Sequence, residues 1–117
     1  MKYLIIITDA PYGTEKAYNA LRLAMTIQKD YLENEVRIFL MADAATCALP
    51  NQNTASGYYN IERMLKSVLN KGGQDKICGT CAEAREIKNL PLIADAQIST
   101  MAELTQWTIE SDKVLTF

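Results

Sequence analysis

Short apolar runs alternate with longer amphipathic stretches along this chain, and this alternation constrains its fold more than any other feature. Residues 3–8 and 36–41 are apolar at nearly every position, as strands buried on both faces of a sheet are. Several intervening stretches space their apolar residues three and four positions apart, which is the period of an amphipathic helix. Strands that alternate with helices form parallel sheets with helices packed on the faces. The sequence therefore predicts an α/β fold.

The predicted elements follow from this periodicity and from cap and turn residues. Five strands are predicted, at residues 3–8, 36–41, 74–77, 96–98 and 113–117, the fourth having the weakest signal. Helices are predicted at residues 15–32, 42–49, 61–71, 81–88 and from 101 onward. The predicted N-caps are Thr14, Asn60, Thr80 and Thr100, the last two within capping boxes completed by Glu83 and Glu103. The polar loop at 50–57 is predicted to be mobile or to act as a flap.

Length and charge narrow the class of protein. A length of 117 residues fits one domain, so residues 1–117 are interpreted as a single domain. The 12 basic and 14 acidic side chains leave a net charge of −2, and no cluster of Lys and Arg appears. Because phosphate contacts need a concentrated basic surface, a nucleic-acid partner is not expected.

The apolar runs of the chain are all short. The run near the N-terminus ends at Asp9, which makes it too short for the apolar region of a signal peptide. No other run approaches the roughly 20 apolar residues that a membrane helix requires. We therefore expect a cytoplasmic protein with no membrane partner.

The chain contains no histidine, and this excludes several kinds of site. Ser-His and Cys-His nucleophile pairs, histidine general bases and histidine-containing metal sites all require that residue. The three cysteines are an odd number without a secretory signal, so reduced thiols are expected rather than a disulfide framework. Chemistry near neutral pH then depends on cysteine, on a perturbed carboxylate or lysine, or on a bound cofactor.

Three segments follow the carboxyl ends of predicted strands. They are the loop at 9–14, the turn at 43–47 and Cys78. In open parallel sheets the residues that bind and react gather at this edge. We therefore predict that the functional site lies there.

The first two of these segments supply the weaker candidates for binding. The loop formed by Pro11, Tyr12, Gly13 and Thr14 joins a strand to a helix, so its N–H groups could hold an anion. It lacks the glycine pattern of a dinucleotide site and the lysine of a P-loop, so a nucleotide is not expected. The turn adds Asp43 and Cys47 as further weak binding candidates.

The segment 78–81 (CGTC) is the strongest candidate for chemistry. With Thr80 as N-cap, Cys78 lies two residues before the helix and Cys81 occupies its first position, where free N–H groups and the helix dipole favour anionic sulfur. The dipole contributes roughly 0.3–1 kcal/mol, which is less than one pKa unit. Position alone therefore does not activate the thiol, and Lys76 and Arg85 are candidates for additional positive charge.

Several chemistries remain open for this segment. Cys78 alone could carry a persulfide, and Cys78 with Cys81 could form a dithiol–disulfide couple. Zinc would need all three cysteines and a carboxylate, and an iron–sulfur cluster lacks its fourth cysteine. The alternative is that the cysteines are small buried hydrophobes, which is favoured for Cys47 among its alanine neighbours. No metal and no cofactor is predicted.

Seven segments, in order along the chain, carry a resemblance to a known family. They are residues 10–15 (APYGTE), 21–24 (LRLA), 39–44 (FLMADA), 57–61 (GYYNI), 78–81 (CGTC), 90–93 (LPLI) and 112–117 (DKVLTF). By these segments and their spacing, the chain resembles the DsrE/DsrF-like family over nearly its full length. Within that family it is similar to the YchN-like branch.

The resemblance implies both a fold and a site. It implies a three-layer α/β/α domain with a five-stranded parallel sheet, assembled into hexamers or smaller rings such as trimers. Characterised members of the family carry sulfur as a cysteine persulfide in relay systems, including tRNA thiolation and dissimilatory sulfur oxidation. Their sulfur-bearing cysteine follows the third strand and corresponds to Cys78 here. Cys81 is an addition of the YchN-like branch, which keeps a dithiol role open.

The functional expectation is a cytosolic sulfur carrier, at most of the sulfurtransferase type, with a persulfide on Cys78. Its partners would be sulfur donor and acceptor proteins, and Cys81 would either cleave the persulfide as a resolving thiol or tune Cys78. The alternatives are a dithiol redox protein and a non-enzymatic oligomeric interaction module. A homo-oligomer is also expected because the aromatic residues Tyr58, Tyr59 and Trp107 look exposed. Trp107, on the periodic stripe of its helix, is interpreted as a core or interface residue.

Overall fold

Five parallel strands form one sheet in the order β4–β3–β2–β1–β5 in the computed structural model, which describes residues 1–117. The strands are β1 (Lys2–Ile7), β2 (Glu35–Leu40), β3 (Gln74–Cys78), β4 (Ala96–Ser99) and β5 (Lys113–Thr116). Each neighbouring pair is parallel. β1 pairs with β2 on one side and with β5 on the other, so that Ile5 lies opposite both Ile38 and Leu115. The predicted α/β class and the five parallel strands are confirmed.

Four α-helices and one 3₁₀ helix connect the strands. They are α1 (Lys16–Asp30), the 3₁₀ helix (Ala42–Ala48), α2 (Ile61–Asn70), α3 (Gly79–Ala84) and α4 (Met101–Glu110). None of them combines the length and the apolar composition that crossing a bilayer would demand. The order of strands and helices matches the order that periodicity predicts, with most boundaries shifted by one or two residues.

The helices divide unequally between the two faces of the sheet. The larger core cluster lies on the face covered by α1, α2 and the 3₁₀ helix, and it contains 21 buried residues. The opposite face is covered by α4 and holds a cluster of five buried residues, which are Leu4, Phe39, Cys78, Leu104 and Trp107. The predicted three-layer α/β/α single domain is therefore confirmed, and Cys78 lies in its thinner half.

Two of the predicted N-caps are confirmed by side-chain hydrogen bonds. The Asn60 side chain accepts the N–H of Arg63 at 3.0 Å, and the Thr100 hydroxyl accepts the N–H of Glu103 at 3.2 Å. Both bonds satisfy N–H groups that the first turn of a helix leaves free. The Glu103 carboxylate does not complete the capping box, because it accepts from Lys76 and Ser99 instead.

The predicted N-cap at Thr14 is wrong. Glu15 occupies that position and caps nothing with its side chain, so α1 begins one residue later than predicted. The Thr14 hydroxyl donates to Asp9 at 2.7 Å and accepts the N–H of Lys16 at 3.2 Å. The hydrogen bond to Asp9, just after β1, thus keeps Thr14 in the connecting loop.

The loop at 50–57 is tied to the helices through Gln52. The Gln52 side-chain amide donates to the carbonyls of Cys47 and Leu49 at 3.0 and 2.9 Å, and its backbone N–H donates to Glu62 at 2.8 Å. These bonds anchor the first half of the predicted flap. Tyr58 and Tyr59 follow the loop and stack on each other, with ring centroids 4.4 Å apart. Tyr58 is 55% exposed.

Trp107 is buried, as a core residue on the stripe of α4 is, and it is not one of the exposed aromatic residues. It is 5% exposed and packs edge-on against Phe39 with ring centroids 6.4 Å apart. The period of α4 does not reveal which of its faces meets the sheet. Met101 and Ile109 are the exposed apolar residues of α4, at 62% and 79%.

Candidate functional site

Cys78 ends β3 and is itself the N-cap of α3. Its sulfur accepts the N–H of Cys81 at 3.4 Å, and the helix begins at Gly79. The predicted N-cap at Thr80 and the predicted start at Cys81 are therefore wrong. Thr80 is the second residue of the helix and Cys81 the third, and α3 ends at Ala84 rather than near 88. The helix thus begins two residues earlier than predicted, and the N–H of Cys81, left free by the first turn, is bonded by a thiol instead of a hydroxyl.

Gly79 allows this tight passage from strand to helix. A Cβ atom at that position would lie 2.8 Å from the carbonyl oxygen of Ser99 and 3.3 Å from the side chain of Ile98. The lack of a side chain therefore lets the start of α3 approach the end of β4. The close approach holds the Cys78 sulfur at the carboxyl edge of the sheet.

Several hydrogen bonds favour the thiolate of Cys78. Burial raises the pKa of this thiol, but hydrogen bonds from the Cys81 thiol, the Thr80 hydroxyl and the N–H groups of Cys81 and Thr80 lower it, and the net pKa is below 9.0. The Thr80 hydroxyl lies 3.3 Å from the sulfur. Hydrogen bonding to the charged form thus outweighs desolvation.

Cys81 is the protonated partner of this thiol pair. Burial raises its pKa, and the hydrogen bond and charge of Cys78 raise it further, against the lowering effects of the Ala42 N–H and of Arg85. The Ala42 N–H donates to the Cys81 sulfur at 3.2 Å. Of the two thiols, Cys78 is therefore the one whose ionisation is favoured.

An ion pair joins the turn after β2 to α3. The Arg85 guanidinium donates to the Asp43 carboxylate at 3.0 and 2.7 Å, and to the carbonyl oxygen of Cys81 at 3.1 Å. Ala42, which precedes Asp43, has a φ of 51°, an uncommon value for a residue with a side chain. Asp43 was predicted as a binding residue, and in the structure it holds the Ala42 turn against Cys81.

A cavity of about 270 Å³ opens beside Cys78. Its wall includes the aromatic ring of Phe39, the side chain of Ile98 and the polar residues Thr80 and Ser99. Lys88 and Glu83 also line it and approach each other to 3.8 Å. Cys78 is 8% exposed, so a reagent reaches its sulfur through this cavity.

The other predicted residues lie away from this thiol pair. Cys47 is fully buried, its thiol donates to the carbonyl of Asp9 at 3.8 Å, and burial raises its pKa to about 12. In the loop 11–14, the Tyr12 hydroxyl donates to Gln52 and accepts the N–H of Ile61 at 3.1 Å. The bonds of Tyr12 fasten that loop to the start of α2, at the same edge of the sheet but apart from Cys78.

The sequence did not indicate the contribution of Ala42. A backbone N–H has no residue-specific signal, and only the packing of β2 beside β3 brings it to Cys81. Of the two predicted cations, Arg85 reaches the site, whereas Lys76 pairs with Glu103 and lies 4.7 Å from the ring of Trp107. Lys76 and Arg85 thus each have more than one partner within reach, and tertiary contacts decide which cation meets the thiol pair.

Comparison with known proteins gives consistent matches over the whole chain. The sequence pattern of the DsrE/DsrF-like family matches residues 1–117. Protein YchN of Escherichia coli strain K12 is 43% identical over 116 residues, which are 99% of this chain and 98% of that protein. The protein MJ0989 of Methanocaldococcus jannaschii is 42% identical over 117 residues, covering 100% of both.

Solved structures agree with these sequence matches. The crystal structure of the YchN protein from Escherichia coli superposes with a TM-score of 0.92 at 42% identity and covers 100% of both chains. The protein BT1422 from Bacteroides thetaiotaomicron superposes with a TM-score of 0.65 at 15% identity, over 98% of this chain and 94% of that one. The second match concerns the fold alone.

Proposed function

Because the chain belongs to the DsrE/DsrF-like family, which is associated with sulfur relay, we propose that it is a cytoplasmic sulfur carrier that holds a persulfide on Cys78. The observation that carries the proposal is the hydrogen bonding of the Cys78 sulfur, which favours a thiolate beside an accessible cavity. A thiolate is the reactive form of cysteine. Sulfur donor and acceptor proteins are the proposed partners.

Loading and unloading are both thiolate displacements. The Cys78 thiolate attacks the terminal sulfur of a donor persulfide, a new S–S bond forms on Cys78, and the donor sulfur leaves as a thiol after taking up a proton. An acceptor thiolate then attacks the terminal sulfur, and Cys78 leaves as thiolate. Neither displacement changes the total number of electrons held by the reacting sulfurs. The carrier therefore needs no redox cofactor for transfer.

The test is sulfur loading measured by intact mass. After incubation with a persulfide donor and removal of the donor, we expect the parent protein to gain the mass of one sulfur atom, released again by a thiol reductant. Cys78→Ser should gain none, whereas Cys47→Ala should load like the parent because Cys47 is buried away from the site. If Cys78→Ser gains sulfur as readily as the parent, Cys78 is not the carrier.

A second candidate is a dithiol redox protein that uses the Cys78–Cys81 couple. The observation in its favour is the direct hydrogen bonding between the two cysteines, with the Cys81 N–H 3.4 Å from the Cys78 sulfur. The mass measurement distinguishes the two functions after treatment with oxidised glutathione or with a persulfide donor. A protein that loses two hydrogens on oxidation, and whose Cys81→Ser variant gains no sulfur from the persulfide donor, is a dithiol protein and not a carrier.

We also propose that the chain forms a homo-oligomer, a hexamer or a trimer, through the thinly covered face of the sheet. Val114 of β5 is 41% exposed on that face, and Met101 and Ile109 of α4, which covers it, are exposed as well. Exposed apolar residues of this kind are typical of interfaces between subunits. Sedimentation at micromolar concentration is expected to give an assembly, and a monomer would contradict the proposal. Ile109→Glu should weaken the assembly without unfolding the chain.

A further inference from the structure

We propose that Cys81 discharges the Cys78 persulfide as hydrogen sulfide when no acceptor arrives, so that the protein also acts as a persulfide reductase. This inference rests on the proposed function, because it begins from sulfur loaded on Cys78. It assigns Cys81 the role of a resolving thiol. The substrate class is a persulfide, and the products are hydrogen sulfide and the Cys78–Cys81 disulfide.

The step balances in atoms and electrons. The Cys81 thiolate attacks the Sγ atom of Cys78, an S–S bond forms between the two cysteines, and the bond from Cys78 to the terminal sulfur breaks. The terminal sulfur leaves as hydrosulfide and takes up the proton that Cys81 has lost. The electron pair of the breaking S–S bond leaves with that sulfur. The two cysteines end as a disulfide, which holds two electrons fewer than the dithiol. A dithiol reductant then restores the thiols.

Cys81 lies beside the Cys78 sulfur without lining the cavity. Its N–H is 3.4 Å from that sulfur, and its own sulfur accepts the Ala42 N–H at 3.2 Å. The cavity wall includes Phe39, Thr80 and Ser99 but not Cys81. A donor that enters through the cavity therefore leaves Cys81 in place next to Cys78. Displacement requires the attacking sulfur, Sγ of Cys78 and the terminal sulfur to come into line, and Cys81 is the thiol near enough to do so.

The charges at the site favour this attack only after sulfur has been loaded. In the unloaded protein, burial and the adjacent Cys78 thiolate raise the pKa of Cys81, whereas the Ala42 N–H and Arg85 lower it. Loading moves the negative charge of Cys78 outward to the terminal sulfur. One cause of the raised pKa is then weakened while the two lowering contacts remain. Cys81 therefore becomes a better nucleophile once its target exists.

Arg85 and Ala42 act as positioning residues for Cys81. The Ala42 φ of 51° is strained for a residue with a Cβ atom, and the ion pair of Asp43 with Arg85 at 2.7 Å holds the turn that contains it. The turn directs the Ala42 N–H at the Cys81 sulfur. Loss of the Arg85 charge should therefore slow the attack by Cys81 while leaving the loading of Cys78 intact.

The experiment loads the protein with a persulfide donor, removes the donor, and then follows sulfide and intact mass with time. We expect the parent to release one sulfide per loaded chain and to end as a protein that has lost two hydrogens. Cys81→Ser, which keeps a hydrogen-bond donor but cannot resolve, should hold its persulfide and release sulfide roughly 100-fold more slowly. Addition of dithiothreitol should return the parent to its starting mass.

Arg85→Gln should slow release several-fold, and Arg63→Gln, which removes an exposed cation of α2, should release like the parent. Equal persistence of the persulfide in the parent and in Cys81→Ser would overturn the inference and leave the carrier function standing. A folded Cys81→Ser protein that takes up no sulfur at all, alongside a parent that also takes up none, would overturn the carrier function itself.

Discussion

Asp75→Asn is expected to stabilise the protein by roughly 4 kcal/mol at pH 8 and to change its stability little near pH 4. Asp75 lies on β3, is 2% exposed, and has no hydrogen-bond partner for either carboxylate oxygen. Burial raises its pKa from 3.8 to about 7. The Asp75 carboxyl group ionises at high pH without a partner, whereas the asparagine amide stays neutral at every pH.

The sign follows from proton binding. Between pH 3.8 and about 7, the folded protein holds a proton on Asp75 that the unfolded chain has already released. Stability therefore falls as pH rises through this window, and the full cost is present above pH 7. Below pH 3.8 both states are protonated, so the cost disappears.

The measurement is urea unfolding of the parent and of Asp75→Asn at a series of pH values between 4 and 8, at one fixed protein concentration. The difference between the two curves isolates Asp75 from the other titrating groups. Asp95→Asn is the matched control, because Asp95 is exposed and its change should lie within about 0.5 kcal/mol at every pH. A difference between Asp75→Asn and the parent that does not grow with pH would contradict the prediction.

Trp107→Ala is expected to lower the free energy of unfolding by roughly 3–5 kcal/mol. Trp107 is the largest member of the five-residue cluster that covers one face of the sheet, and it packs edge-on against Phe39. Arg37 and Lys76 also lie over its ring, at 5.3 and 4.7 Å from the centroid. Because α4 is the one helix of that cluster, the neighbouring side chains can do little to fill the space.

Unfolding of the Trp107 variants is best followed by far-UV circular dichroism, because Trp107 is the only tryptophan. Trp107→Phe keeps an aromatic ring at the position and should lose considerably less stability than Trp107→Ala. Thr105→Ala, on the same helix but exposed, should change stability by less than about 0.5 kcal/mol. If Trp107→Ala and Thr105→Ala cost the same, the packing of α4 on the sheet is not what stabilises this face.

Two ion pairs set the expected effect of Trp107 apart from that of an ordinary core residue. Arg37 pairs with Glu110 at 2.9 Å, and Lys76 pairs with Glu103, so both cations over the ring also hold α4. The carboxylates of both pairs are partly exposed, at 35% and 43%, so each pair contributes modestly when taken alone. Without the indole ring the two cations lose their packing surface, so we expect α4 to become more mobile as well as less stably bound. Because Cys78 belongs to the same cluster, its alkylation should become faster in Trp107→Ala.

The sequence by itself determined the order and the type of the elements. Apolar runs and amphipathic periods depend on neighbouring residues, and local patterns of this kind are read directly from the chain. The caps at Asn60 and Thr100 were predictable for the same reason, because each cap bonds an N–H three residues away. The location of Cys78 at the end of a strand was likewise visible, since the glycines at 72–73 end one helix and the signals at 80–83 start the next, with a short strand between them.

The tertiary structure alone decided which residues meet. The predicted cap at Thr80 does not form, because the close approach of Gly79 to Ser99 lets the helix begin at Gly79 with Cys78 as its cap. The strand order sets β2 beside β3, and this order brings the Ala42 N–H to Cys81. The burial of Trp107 and the unpaired Asp75 depend on which face each element turns to the sheet. Contacts between residues far apart in sequence have no local signature, so the contact of the Ala42 N–H with Cys81 was determined by folding. The hydrogen bonds that favour the Cys78 thiolate, by contrast, come from Thr80 and Cys81 within the segment 78–81 itself.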